Sequence, residues 1–228
     1  MIETTVPTHA EMANALRSTA TLLLEANILS PQGSDTINSA ANRLYNKPGK
    51  AWSYATPSAQ PVLFELCVDR AGRQFIPKLG VASIEVRDEI DDIPFVSWDI
   101  NLLLEYADQE VHCPRWHFDL CNPEQAGPIT HLQYGGNKHL NLPNLDVRVR
   151  EPRWNAAPLD LILMCETIAA SFYQDTWESQ LRDLTRWNEI IQQSQRLCFP
   201  YYLRGLYNTL NAAAAGSHLS ACWNSNCN

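Results

Sequence analysis

His117, Asp119 and His131 are the residues of this 228-residue chain whose types and spacing point to chemistry. Two imidazoles and a carboxylate are the donor set of a facial metal triad, which leaves coordination positions open for water. A divalent metal held there would lower the pKa of that water and make it a nucleophile. Gln133, Asn101 and Glu105 are polar neighbours able to support the ligands or take a proton. The same residues also permit a metal-free route, in which His131 is general acid and base, Asp119 orients it and Arg115 stabilises a phosphate. That is the logic of a ribonuclease. A third reading is structural: Asp119–His131 and Glu105–Arg115 are cross-strand pairs that satisfy polar groups beneath a helix or loop. The cofactor expectation is therefore a divalent metal or none.

These residues need strands to position them. Side chains in a strand alternate between faces, so Trp116, Phe118 and Leu120 point one way and Arg115, His117, Asp119 and Cys121 the other. Leu132 and Tyr134 then separate from His131 and Gln133 in the same manner. The linker Asn-Pro-Glu-Gln-Ala-Gly-Pro (122–128) is rich in turn formers, which predicts an antiparallel hairpin. With Leu120 opposite Thr130, Asp119 faces His131 and His117 faces Gln133. Upstream, Val96, Trp98, Ile100, Leu102, Leu104 and Tyr106 alternate with Ser97, Asp99, Asn101 and Glu105, which predicts a strand over 94–106. A face-matched register brings Glu105 to Arg115 and Asn101 to Asp119. Cys121 lies on the same face, but a thiol beside carboxylates ionises poorly. No Gly-x-Ser-x-Gly, P-loop, Gly-x-Gly-x-x-Gly or Cys-x-x-Cys occurs.

Bulk composition excludes several classes. A net charge of -8 argues against binding nucleic acid through general electrostatics, although local contact with RNA stays open. No apolar run approaches the ~20 residues of a membrane span, and the start of the chain lacks a basic and apolar leader. Cys67, Cys113, Cys121, Cys165 and Cys198 lie within apolar stretches, as reduced thiols of a cytoplasmic protein do.

The rest of the chain predicts a single α+β domain. It has an N-terminal helix and loop (1–60), an antiparallel meander of five to seven strands (61–150), C-terminal helices packed on one sheet face (158–211) and a flexible tail (212–228). Thr8 and Glu11 form a capping box for a helix over 9–29. Residues 30–60 read as turn-rich, with a short helix near 38–45. Val62, Phe64, Leu66 and Val68 alternate, and a second strand interrupted by Pro77 leads to a third over 82–87. The carboxylates of 88–92 read as a solvated acidic turn. The piece 145–150 reads as an edge strand guarded by charge, and Arg148, Arg150 and Arg153 could together bind an anion. Pro158 suits the first turn of a buried helix over 159–172. Residues 175–178 resemble a second capping box, and Trp177, Leu181, Leu184, Trp187 and Ile191 form the stripe of the helix it starts. Pro200 ends that helix, and 201–210 forms another. His218, Cys222 and Cys227 lack the pair spacing of a zinc site.

The segments Trp-His-Phe-Asp (116–119), His-Leu-Gln-Tyr-Gly-Gly (131–136), Pro-Leu-Asp-Leu-Ile-Leu (158–163) and Ser-Phe-Tyr (171–173) resemble a family of uncharacterised bacterial proteins, over roughly residues 96–175. The His-x-Asp…His-x-x-x-Gly-Gly core is also similar to small toxins of the TumE type. The resemblance implies a bacterial origin and a role in a defence or toxin–antitoxin module. The order of elements, with Trp154 before a Pro-initiated buried helix, resembles the ubiquitin-conjugating fold, but 131–142 contains no cysteine to carry that chemistry. The triad is similar to that of non-haem iron oxygenases, which place the last histidine much further along the chain. The expectation that follows is a non-catalytic accessory or partner-binding protein of such a module. Exposed aromatics among Trp177, Trp187, Tyr201, Tyr202 and Trp223 would mark its surface for a protein partner. The alternative is a small hydrolase acting on RNA or a phosphoester through His117, Asp119 and His131.

Overall fold

Thr8 starts the first helix. Its backbone N–H donates to Glu11 Oε2 at 2.8 Å while Glu11 N–H donates to Thr8 Oγ1 at 3.2 Å, the reciprocal pair of a capping box. Helix α1 (His9–Glu25) buries Met12, Leu16 and Leu23. It stops short of the 29 expected because Asn27 takes φ 54°, a left-handed value that a helix cannot continue through. This is a computed structural model, and it describes residues 6–47, 49–87, 93–107, 113–121, 126–135, 152–211 and 216–224. The acidic turn 88–92 and the proposed edge strand 145–150, with Arg148 and Arg150, lie outside them.

Helix α2 (Pro31–Tyr45) contains the short helix expected near 38–45 and extends it back by about two turns into the stretch expected to be turns. Ser30 caps it, accepting from Gly33 N–H at 3.0 Å, and Pro31 fills the first turn, where a missing N–H costs nothing. Its small residues Gly33, Ser34, Ala40 and Ala41 are buried. Ile37 and Leu44 fill the core beside them, and Ser30 donates through both backbone and side chain to Leu63 O on β2.

The strands follow in chain order: β1 (Trp52–Tyr54), β2 (Val62–Leu63), β3 (Cys67–Val68), β4 (Gln74–Val86), β5 (Phe95–Tyr106), β6 (Arg115–Leu120), β7 (Gly127–Pro128), β8 (Thr130–Tyr134) and β9 (Arg153–Asn155). Among the described residues the main sheet has eight strands, in the order β1-β4-β5-β6-β8-β9, with β2 and β3 also paired to β4. All pairings are antiparallel. Strand β4 is one continuous strand rather than two. Its register against β5 slips between Val81 and Ser83, so the buried set changes from Phe75, Leu79 and Val81 to Ile84 and Val86. A bulge flips the phase that a period-2 reading depends on. Pro77 is tolerated because its carbonyl accepts from Phe64 N–H, and a residue's N and O face the same neighbour. The missing N–H therefore points at the gap between β2 and β3, not at β5. A second slip, between Glu85 and Val86, makes Val96 the extra residue and leaves it 48% exposed, while Phe95 is fully buried.

The chain then turns to helices: α3 (Leu161–Phe172), α4 (Gln174–Thr176), a π turn (Trp177–Leu181), α5 (Thr185–Asn211) and α6 (His218–Ala221), before β10 (Trp223–Asn224). Asp160, not Pro158, starts α3, accepting from Leu163 N–H at 2.9 Å. The capping box expected at 175–178 is absent. That segment begins without a side-chain cap and widens into the π turn, with Arg182 N–H reaching Trp177 O at 2.8 Å. Helix α5 continues through Pro200, so the expected third helix is its second half. Of its stripe, Leu184 is exposed. One core joins α1, α2, the sheet, α3 and α5, from Met12 to Cys198, and Phe172 meets Phe75 edge-on with centroids 5.5 Å apart. The expected α+β architecture, helices against an antiparallel sheet, is what forms. No helix among the described residues is long and apolar enough to cross a membrane.

Candidate metal centre

The hairpin forms in the expected register: Leu120 pairs with Thr130, Asp119 with His131 and His117 with Gln133. Its neighbour β5 is displaced by two residues from the register expected. Asp99 lies opposite Asp119, Asn101 opposite His117 and Leu103 opposite Arg115. Strand β9 adds Asn155 beside His131 and Arg153 beside Gln133. Directly opposed residues share a face, so two polar rows cross four strands. One reads Asp99, Asp119, His131, Asn155; the other reads Asn101, His117, Gln133, Arg153.

The triad sits where these rows meet. One ligand atom from each of His117, Asp119 and His131 lies within 4.8 Å of the others. His131 Nδ1 is 3.1 Å from Pro128 O and His117 Nδ1 is 3.2 Å from Gly135 O. A carbonyl can only accept, so each Nδ1 carries the hydrogen and each ring turns its Nε2 towards Asp119. This is the tautomer and orientation of histidines that ligate metal, the far nitrogen being fixed by a backbone carbonyl. His117 Nε2 is 3.7 Å from Asp119 Oδ2, and His131 Nε2 is 2.5 Å from Asp119 Oδ1. The latter contact is close in distance but wrong in direction: both atoms are buried and neither completes a hydrogen bond. With Nε2 unprotonated, its lone pair faces a carboxylate oxygen at that range, which is repulsive unless a cation lies between them. Asp99 is paired with Asp119 across the strands. Ligands of a cation bound at about 2.1 Å stand about 3.0–3.5 Å apart, so binding would open the His131–Asp119 contact slightly and draw His117 in.

The three side chains differ in exposure. The His131 side chain is fully buried, whereas those of His117 and Asp119 keep 16% and 26% of their surface. The remaining candidates divide. Gln133 and Asn101 are buried beside the triad; Asn101 Nδ2 donates to Asp99 Oδ1 at 3.0 Å. Arg153 donates from Nε to Gln133 Oε1 at 3.3 Å and from Nη1 to Ala126 O at 3.2 Å, so it ties β9 to the hairpin. Glu105 does not meet Arg115: it pairs with Lys78 on β4, and Arg115 is buried opposite Leu103. The two-residue displacement removes both the Glu105–Arg115 pair and the Asn101–Asp119 pair. Asp99 and Asn155 are site residues that sequence reasoning passed over. Asp99 had been placed on the right face, but the expected register set it opposite Cys121. Asn155 sits on a three-residue strand too short to show a period.

Comparison of the chain with family models, curated proteins and solved structures gives no match.

Proposed function

We propose that this chain is a divalent-metal-dependent hydrolase whose centre is His117, Asp119 and His131. The observation that carries the proposal is the approach of His131 Nε2 to Asp119 Oδ1 at 2.5 Å, without a hydrogen bond and with His131 Nδ1 committed to Pro128 O. A cation bound there supplies a water nucleophile at neutral pH. The partly exposed edges of His117 and Asp119 give substrate its approach. Phosphoesters, RNA among them, are the first substrates to test. The test is metal content by mass spectrometry on purified wild type and His131→Ala. One equivalent of zinc, iron or manganese in wild type, lost in the variant, supports the centre. Wild type that stays metal-free after incubation with each of the three ions refutes it.

A second reading, a partner-binding protein of a bacterial defence or toxin–antitoxin-type module, has its own support. Leu203, Tyr207 and Leu210 on α5 and Trp223 beyond α6 are 44–75% exposed, and such apolar surface marks partner sites. Trp187, by contrast, is fully buried, and Tyr201 packs against the core. The described cysteines are all free thiols, which fits a reducing cytoplasm. Tyr207→Glu with Leu210→Glu should abolish association with a co-purifying protein; a wild type that purifies alone removes the reading.

A further inference from the structure

Within the stretch expected to be a flexible tail, the described residues 216–224 pair, through Trp223 and Asn224, with the strand next to the candidate centre. Ser217 caps α6, accepting from Ser220 N–H at 3.1 Å, and His218 meets the Tyr202 ring edge-on, centroids 5.7 Å apart. Strand β10 then pairs with β7, placing Trp223 opposite Pro128 and Asn224 opposite Gly127. Ile129 N–H donates to Cys222 O at 2.7 Å. Proline suits this pairing because the bond across it comes from its neighbour and needs no N–H from Pro128.

One route leads from this segment to a residue of the triad. Strand β7 carries Pro128, whose carbonyl accepts from His131 Nδ1 at 3.1 Å. The loop bearing Pro128 has only two residues of strand, and β10 is its partner. Without that partner the carbonyl that orients His131 belongs to a short linker.

We infer that residues 217–224 are a positioning strap for the metal centre: they hold β7, and through Pro128 O they set the orientation of His131. The inference rests on the metal-centre proposal and extends it to regulation, since whatever lifts the strap loosens a ligand. None of residues 217–223 belongs to the buried core, so the strap is separable from the fold. Partners that orient a ligating histidine typically contribute 10–100-fold in metal affinity.

The test is Co²⁺ binding, followed by the visible absorption of the bound ion, in the full chain and in a chain ending at Gly216. The truncated chain should keep the far-ultraviolet circular dichroism of the full chain's sheet and helices. It should bind Co²⁺ about 10–100-fold more weakly, with an altered visible spectrum, because one imidazole is no longer held. Equal affinity and an unchanged spectrum would overturn the strap and leave the centre standing. A full chain that binds no Co²⁺ would overturn both. A second measurement needs no variant. The Ile129 amide of the full chain should be protected from hydrogen exchange and should gain protection when Co²⁺ binds. Exchange at the rate of an open loop, with or without Co²⁺, overturns the strap.

Discussion

Asp119→Asn should raise the stability of the metal-free protein and lower that of the metal-loaded one. With Nε2 of His131 unprotonated in the metal-free chain, the Asp119 carboxylate faces its lone pair at 2.5 Å, and Asp119 opposes Asp99 across the strands. An amide in its place can donate N–H to Nε2, a gain of about 0.5–1.5 kcal/mol for a new directed bond. It also removes a like-charge opposition of about 0.2–1 kcal/mol. For a chain of this length each kcal/mol moves Tm by about 2–4 °C, so the variant should melt a few degrees higher in chelator. Metal reverses the order. At a hundred times Kd a bound ion stabilises wild type by about 2.7 kcal/mol, or about 5–11 °C, and a neutral amide gives up most of that. Thermal melts of both proteins, in EDTA and in excess Zn²⁺ or Co²⁺, should therefore cross. If Asp119→Asn melts lower in EDTA, the contact is an ordinary ion pair. Its loss would leave a buried imidazolium uncompensated, and the argument for a cation between the two atoms fails.

Two further substitutions test the scaffold. Asp160 is fully buried as the cap of α3, and burial pushes its carboxyl above the ordinary range. The folded state then holds that proton more tightly than the unfolded one, so wild type gains stability as pH falls through the raised folded value towards the ordinary carboxylate value. Asp160→Asn keeps a good cap and should lose that gain; urea midpoints against pH with the same slope in both proteins would contradict it. Gly33→Ala should destabilise the fold although alanine favours helix by about 1 kcal/mol. The added Cβ would lie 2.1 Å from the Leu63 carbonyl oxygen, and overpacking of this kind typically costs about 1–3 kcal/mol. A variant with an unchanged or higher urea midpoint would mean that α2 can move away from β2.

What could be read from the residues depended on how each piece of register is set. The β6–β8 hairpin was legible because two alternating runs flank a short turn-forming linker, which leaves little freedom to slip. The β5–β6 register was legible only to its face. A shift of two residues keeps every side chain on its side of the sheet, so patterning cannot oppose it, and Glu105 finds Lys78 on the other neighbour. Prolines misled in both directions. Pro77 and Pro200 read as breaks but lie inside β4 and α5. Pro31, at the first turn of α2, was the start signal of a helix whose polar composition hid it.

The candidate site follows the same division. Two of its ligands sit on one strand two residues apart, and the third lies across a tight hairpin, so local pattern alone assembles the triad. What surrounds it comes from long-range pairing: Asp99 through β5, Asn155 through β9 and the strap through β10. A cation site needs the first group for its ligands and the second for its charge and rigidity. Hence the parts that would tune affinity are the parts that periodicity does not reveal, and substitution at Pro128's partners or at Asp99 probes the centre without touching a ligand.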